Sequence, residues 1–217
     1  MKFGVVQFPG SCDHRDALDA AKRVGDAQLL WHGDHDLQGV DAVIVPGGFS
    51  YGDYLRVGAI ARFSPLMESV IAFANEGGPV LGICNGYQVL CEAHLLPGAL
   101  LPNTSLRFVC RQVDIDVVAD SEWSNAGATL SIPVKHTTGR YYAPDPVLDE
   151  MEANGQVVFR YAPGQNPNGS ARDIAGVRNE AGNVVGLMPH PEHAVDAMTG
   201  STDGLNIFRR LLAPANA

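Results

Sequence analysis

Short apolar runs bounded by glycine or proline are the feature of this sequence that most restricts its fold. Three of them lie in the first half of the chain, at residues 2–8, 40–45 and 79–83. Each is followed by a segment with helical apolar spacing. Continuous apolar runs are typical of parallel strands buried on both faces, and parallel neighbours need a crossover that is usually a helix. The sequence therefore predicts an α/β fold with a mostly parallel sheet flanked by helices.

Capping residues predict where the helices begin. We expect Asp13 to cap the first helix and Ser64 to cap the second, with Pro65 at its first position. Residues 27–31 predict a further short strand after the first helix, and residues 85–93 predict a third helix, directly after a strand. Asp203 is expected to cap a last helix that runs through Leu212.

The pattern changes from residue 107 onward. Residues 113–117 alternate between apolar and acidic side chains, as in an antiparallel strand with one exposed face. Further strands are predicted at residues 128–134, 157–161, 175–178 and 184–188, with a hairpin tip at 180–183. We expect one domain over residues 1–217, with additional antiparallel strands in the second half.

Charge and cysteine content argue against several classes of function. Lys+Arg number 15 and Asp+Glu 24, and the formal net charge of −9 is unfavourable for an exposed nucleic-acid or membrane-binding surface. No apolar run approaches the roughly 20 residues of a membrane span. The four cysteines show neither a CxxC pair nor zinc spacing. We expect a cytoplasmic protein with free thiols and no bound metal.

The sharpest local motif is GICNG at residues 82–86, between a predicted strand and a predicted helix. It has the spacing of a nucleophile elbow, with Cys84 where hydrolases often carry serine. Flanking glycines remove the clashes that such a tight turn creates, and a helix N-terminus favours a thiolate. We predict that Cys84 is a nucleophile.

A cysteine nucleophile needs a base and a group that orients the base. His190 directly follows a predicted strand, between two prolines that stiffen the loop, and Glu192 lies two residues further on. Oxyanion donors are also needed, and the N–H of Asn85 is one candidate. The glycine-rich turn at residues 46–49 offers a second.

These residues resemble the class I glutamine amidotransferases, which use a Cys-His-Glu triad on a flavodoxin-like fold. The resemblance is carried by residues 82–88 and 190–192. Residues 46–56, 166–170, 186–192 and 200–204 narrow it to one subfamily, the glutaminase subunits of phosphoribosylformylglycinamidine synthase. It extends over essentially the whole chain.

The resemblance implies that Cys84 attacks the side-chain amide of glutamine, His190 transfers protons and Glu192 orients His190. It also implies that the amides of Gly48 and Asn85 bind the oxyanion. The residues implied to contact glutamine are Gly47, Phe49, Gly86, Gln88, His136 and Thr137.

Two positions depart from the subfamily pattern. Thr137 and Thr138 stand where Gly-Glu is usual, which puts side-chain contacts from that Glu in doubt. His193 stands where Arg is common, and we interpret it as a surface substitution.

The resemblance also implies partners. Ammonia would pass to a large synthetase subunit that uses ATP and Mg to convert formylglycinamide ribonucleotide into formylglycinamidine ribonucleotide, and a small third subunit would complete the complex. No Gly-x4-Gly-Lys-Ser/Thr motif occurs in the sequence. We therefore expect no cofactor in this chain, with glutamine as its own ligand.

Two alternatives remain from other classes. A DJ-1/PfpI-like cysteine hydrolase has a similar elbow but generally lacks a late His-Pro-Glu. A catalytically silent regulatory subunit would need no triad, so the presence of Cys84, His190 and Glu192 argues against it.

Overall fold

A computed structural model of the chain describes residues 1–212. The strands are β1 Lys2–Gln7, β2 Asp26–Trp31, β3 Ala42–Val45, β4 Val80–Ile83, β5 Ala99–Pro102, β6 Val109–Val117, β7 Thr129–His136, β8 Thr138–Tyr142, β9 Val157–Tyr161, β10 Ile174–Arg178 and β11 Val184–Leu187. The helices are α1 His14–Lys22, α2 Pro65–Asn75, α3 Asn85–Glu92, α4 Asp145–Ala153 and α5 Leu205–Arg210.

The main sheet of the described residues has the strand order β2-β1-β3-β4-β11-β10-β9-β6-β7. The first five of these strands are parallel to one another, and the steps from β11 to β7 are antiparallel. The predicted α/β fold, with a parallel sheet and added antiparallel strands, is confirmed. The hairpin predicted at residues 180–183 joins β10 to β11.

The parallel part of the sheet lies in the core, as its apolar runs require. Every residue of β3, β4 and β11 is buried. Helix α1 packs Ala17, Ala20 and Ala21 inward at helical spacing. Fully burying one Leu or Ile side chain stabilises a fold by about 1.5–3 kcal/mol, so these strands contribute much of the stability.

The predicted helix starts are close to the observed ones, and Asp13 and Ser64 hold the predicted N-cap positions, but no predicted cap makes a side-chain capping hydrogen bond. Asp13 is the N-cap residue of α1, yet its side chain makes no capping hydrogen bond. Ser64 precedes α2 with Pro65 at the first position, again without a side-chain cap. Asp203 lies one residue before the N-cap of α5, and its carboxylate accepts a hydrogen bond from the N–H of Ser131 instead.

Three elements are not predicted by the sequence. They are the strands β5 and β8, which form a small antiparallel sheet, and helix α4. None of the helices in residues 1–212 is long and apolar enough to cross a membrane. The single domain over residues 1–217 stays a prediction, and residues 213–217 lie outside the described part of the chain.

Candidate active site

One edge of the main sheet collects polar residues from distant parts of the chain. Asp13, Gly48, Cys84 and His190 lie in loops or turns after the carboxyl ends of β1, β3, β4 and β11, which are parallel. β7 is four strands from β11 in the sheet, and each of the four pairs is antiparallel. β7 therefore runs in the same direction as β11, and its last residue, His136, lies at this edge. Ligands of open α/β sheets bind at this edge.

Cys84 occupies the predicted strained turn between β4 and α3. Its φ is 49°, in the left-handed region that disfavours residues with a Cβ. The turn is fixed by a hydrogen bond of 2.8 Å from the Cys84 N–H to the Leu187 carbonyl. A Cβ at Gly82 would approach the backbone of Gly86, so the turn needs glycine there. Strain held in this way is typical of functional sites.

His190 and Glu192 form a buried pair in the loop after β11. Nδ1 of His190 lies 2.7 Å from Oε1 of Glu192, and both side chains are almost fully buried. Burial alone would lower the pKa of His190, but its interactions with Glu192 and Cys84 raise it to about 10. The other ring nitrogen, Nε2, is buried without a hydrogen-bond partner among the described residues. The imidazole is thus oriented by Glu192 and free to exchange a proton at Nε2.

Two backbone amides beside Cys84 are available for an anionic oxygen. In the described residues, the N–H groups of Gly48 and Asn85 have no backbone acceptor, while the neighbouring Phe49 N–H donates to Gly10. Gly48 has φ 144°, and a Cβ there would overlap the backbone of residues 10–12. The residues predicted to bind an oxyanion therefore lie near Cys84 with unused donors.

The side chain of Asn85 links the elbow to two pocket segments. Its Oδ1 accepts a hydrogen bond from Ser50 N–H at 3.0 Å, and its Nδ2 donates to Oε1 of Gln88 at 2.9 Å. Nε2 of Gln88 donates to the Thr138 carbonyl at 2.6 Å. Asp53 lies 3.4 Å from Asn85 Nδ2, and burial raises the pKa of its carboxyl to about 6.

A pocket opens over Cys84, and most of the predicted glutamine contacts line it. Those that do are Phe49, Gln88, His136 and Thr137, and the lining also includes Cys84, His190 and the predicted oxyanion donor Gly48. Gly47 instead packs behind the site, where a Cβ would meet Asp13 and the His190 ring. Gly86 lies where α3 approaches β3, and a Cβ there would overlap the Val45 backbone. The glutamine-binding role of each residue stays a prediction.

Asp13 is a site residue that the sequence did not reveal. Its carboxylate lies 2.5 Å from Nζ of Lys135 and 3.1 Å from Nε2 of His193, and 3.7 Å from Nδ1 of His190. Burial alone would raise the pKa of Asp13, but the hydrogen bond from His193 and the charges of His190 and Lys135 hold it well below the usual range. Residues 122 and 180 positions away hold this carboxylate, so no local pattern could have shown it.

His193 is not the surface substitution that we predicted from the sequence. Its side chain is 28% exposed and donates to Asp13, and its ring centre is 5.5 Å from that of His190. His193 therefore contacts the side chains that surround His190 and Glu192, and Asp13 is its hydrogen-bond partner there.

One group of side chains has donor atoms that suit a metal ion. One atom from each of Asp13, His190, Glu192 and His193 lies within 4.8 Å of the others. These atoms already pair among themselves, and Asp13 also pairs with Lys135. Their arrangement is accounted for by a charged hydrogen-bond network around His190.

Comparisons of sequence and of structure agree on the relatives of this chain. The sequence profile of the CobB/CobQ-like glutamine amidotransferase domain matches residues 1–206. A phosphoribosylformylglycinamidine synthase subunit PurQ of Rubrobacter xylanophilus is 60% identical, over 99% of each chain. The PurQ of Streptomyces avermitilis is 57% identical, over 97% of this chain and 96% of its own.

A solved structure gives the same relationship. The structure of PurLQS from Thermotoga maritima contains a chain that matches with a TM-score of 0.88 and 41% identity. The match covers 97% of each chain.

Proposed function

Since the chain belongs to the CobB/CobQ-like glutamine amidotransferase family, we propose that it is the glutaminase subunit of a phosphoribosylformylglycinamidine synthase. The observation that carries the proposal is the placement of Cys84, His190 and Glu192 at one edge of the sheet, in a chain 60% identical to such a subunit. Neither the DJ-1/PfpI-like hydrolase nor the silent regulatory subunit gains support from the relatives.

The first step would be attack of Cys84 Sγ on the side-chain amide carbon of glutamine. The thiol proton is held by His190, whose positive charge the carboxylate of Glu192 stabilises. The amide oxygen becomes an oxyanion, and the unused N–H groups of Gly48 and Asn85 would stabilise it. His190 then gives its proton to the nitrogen, the C–N bond breaks, ammonia leaves and a glutamyl thioester remains.

The second step would hydrolyse that thioester. Nε2 of His190 takes a proton from water, the hydroxide adds to the thioester carbon, and the C–S bond breaks. Sγ of Cys84 leaves as a thiolate, the proton taken from water stays on His190 as at the start, and glutamate is released. One glutamine and one water thus give one glutamate and one ammonia, and the protein is unchanged.

The ammonia would be used by a synthetase partner. We propose that ATP and Mg are bound by that large subunit, which would convert formylglycinamide ribonucleotide into formylglycinamidine ribonucleotide, and that a small third subunit completes the assembly. The likeness to a chain in the PurLQS structure from Thermotoga maritima supports an assembly of this kind. Glutamine, which is zwitterionic, would be the only substrate handled by this acidic chain.

Exposed apolar side chains beside the pocket support a docking face for the partner. Leu55 is 90% exposed, Leu106 79% and Tyr54 74%. They flank the pocket residues Asp53 and Phe108 in the sequence. Large exposed apolar groups of this kind mark interaction sites when they cluster.

The test is formation of formylglycinamidine ribonucleotide from glutamine, ATP and formylglycinamide ribonucleotide, with and without the large subunit. We expect product only when both subunits are present, and slow glutaminase activity from the isolated chain. Failure of the complete mixture to use glutamine, while it uses ammonium, would refute the assignment of this chain.

A further inference from the structure

The loop at residues 166–170 takes no part in the chemistry above, yet its central side chain is buried against the pocket wall. Asn168 is 1% exposed. Its Nδ2 lies 3.0 Å from Nε2 of His136 and donates to the Gly139 carbonyl at 2.8 Å. The same nitrogen lies 3.3 Å from the Tyr161 hydroxyl, and Ser170 of this loop also contacts Gly139 and Tyr141 of β8. Within the loop, Asn168 is the residue whose side chain contacts the His136 ring.

The orientation of the Asn168 amide is determined by its chemistry. Its Oδ1 accepts a hydrogen bond from the Ser170 N–H at 3.0 Å, and a backbone N–H can only donate. Its Nδ2 faces the Gly139 carbonyl, which can only accept. A flipped amide would lose both bonds, so the NH₂ group faces His136.

The tautomer of His136 follows from that orientation. The NH₂ group also has the Gly139 carbonyl and the Tyr161 hydroxyl as acceptors, but it can accept no hydrogen bond itself. A proton on Nε2 of His136 would therefore point at another donor 3.0 Å away, so Nε2 carries the lone pair and the single proton of the neutral ring is on Nδ1. Burial, and then the charge of His190, lower the pKa of His136 to about 4, so the ring is neutral near pH 7.

The Nδ1–H group has nothing to bond to in the described part of the protein. Nδ1 of His136 is buried and has no hydrogen-bond partner among these residues. His136 forms part of the wall of the pocket that contains Cys84. A buried donor without an acceptor is costly, and glutamine brings acceptors in its carboxylate and its amide carbonyl.

We propose that Asn168 is a positioning residue that holds His136 as the Nδ1–H tautomer, so that Nδ1 donates a hydrogen bond to an oxygen of bound glutamine. The opposite tautomer would present a lone pair to that oxygen and repel it. This inference rests on the proposed glutaminase function and assigns Asn168 a role that it performs through His136.

The tautomer is measured directly by ¹⁵N NMR of the histidine side chains in the full chain. The His136 signals are identified by their loss in His136→Gln. We expect a protonated Nδ1 and an unprotonated Nε2 in the wild type. A protonated Nε2 in the wild type would overturn the inference, whatever the enzyme activity.

The consequence is measured as the KM for glutamine in the complex with the synthetase. Asn168→Asp replaces the donor by an acceptor, and we expect the proton to move to Nε2 and KM to rise about tenfold, with a smaller change in kcat. Gln165→Glu makes the same charge change directly before the loop at residues 166–170. For this control we expect no change in the His136 tautomer or in the KM for glutamine. Equal effects of the two variants would overturn the positioning role.

The NMR spectrum of Asn168→Asp also shows whether the new carboxylate keeps both ring nitrogens of His136 protonated. In that case Nδ1–H persists, and the KM for glutamine should stay near the wild-type value. A raised KM with Nδ1 still protonated would contradict the proposal. Absence of glutaminase activity from the wild-type complex would instead refute the proposed function and leave the tautomer result standing.

Discussion

The carboxylate of Asp13 lies 3.7 Å from Nδ1 of His190, so the imidazole faces a second buried acid besides Glu192. Asp13 is 4% exposed and also pairs with Lys135 and His193. The charge around His190 is therefore set by residues from separate segments of the chain.

Replacing Asp13 by Asn should lower the pKa of His190. The variant removes a negative charge that favours the imidazolium, and we expect a decrease of about one unit. The measurement is an NMR titration of His190. Asp16→Asn removes an exposed acid three residues along the chain and should have no effect. An unchanged pKa in Asp13→Asn would show that Asp13 does not act on His190.

Replacing Glu192 by Gln should slow glutamine hydrolysis by about 10²-fold or more. A neutral amide does not hold the His190 imidazole in its orientation as the carboxylate does, and it does not stabilise the imidazolium. The pKa of His190 should also fall, since Glu192 is the largest of the causes that raise it. The rate is measured as glutamate release by the complex. A nearly normal rate would exclude Glu192 from the triad.

Acid should destabilise the fold partly through His136. Its pKa is lowered from 6.5 to about 4, so below pH 6.5 the unfolded chain binds a proton that the folded chain does not. Stability from this group is full above pH 6.5 and declines as the pH falls towards 4, by up to about 1.4 kcal/mol per pH unit.

The measurement is urea unfolding at several pH values between 4 and 7. His136→Gln cannot titrate, so the difference in unfolding free energy between wild type and variant should depend on pH in this window. A pH-independent difference would contradict the lowered pKa of His136.

Replacing Leu55 by Glu should weaken binding to the synthetase without unfolding the chain. Leu55 is 90% exposed beside the pocket, so a charge there would be desolvated only in a complex. Val118→Glu is the matched control, because Val118 is also exposed and follows the far end of β6, whose length of about 30 Å separates it from the pocket residue Phe108. Affinity is measured by calorimetry, and equal affinities of both variants would place the interface elsewhere.

The fold can be predicted as far as it depends on local apolar patterns. The predicted bounds of β9 match residue for residue, because it is a short apolar run with clear ends. The sequence does not predict β8, because Thr138–Tyr142 contains little apolar sequence and pairs with β5 in a separate sheet. Pairing of that kind depends on long-range contacts.

The candidate site likewise contains residues with local sequence signatures and residues that depend on long-range contacts. Cys84, His190 and Glu192 can be predicted because a strained turn and a stiff His-Pro-Glu loop leave local signatures. Asp13 and Asn168 cannot be assigned roles from sequence, because their partners come from other strands. Asp13 has the pattern of a helix cap in the sequence, but Lys135 and His193 bind its carboxylate in the folded chain.

The most direct test of the account is Cys84→Ala in the reconstituted complex, measured as formylglycinamidine ribonucleotide formed with glutamine and, separately, with ammonium. Alanine removes only the nucleophile, so we expect loss of the glutamine-dependent rate and an ammonium-dependent rate equal to that of the wild type. Retention of glutamine-dependent synthesis would show that Cys84 is not the nucleophile. Loss of both rates in a correctly assembled complex would contradict the division of labour in which this chain supplies ammonia to its partner.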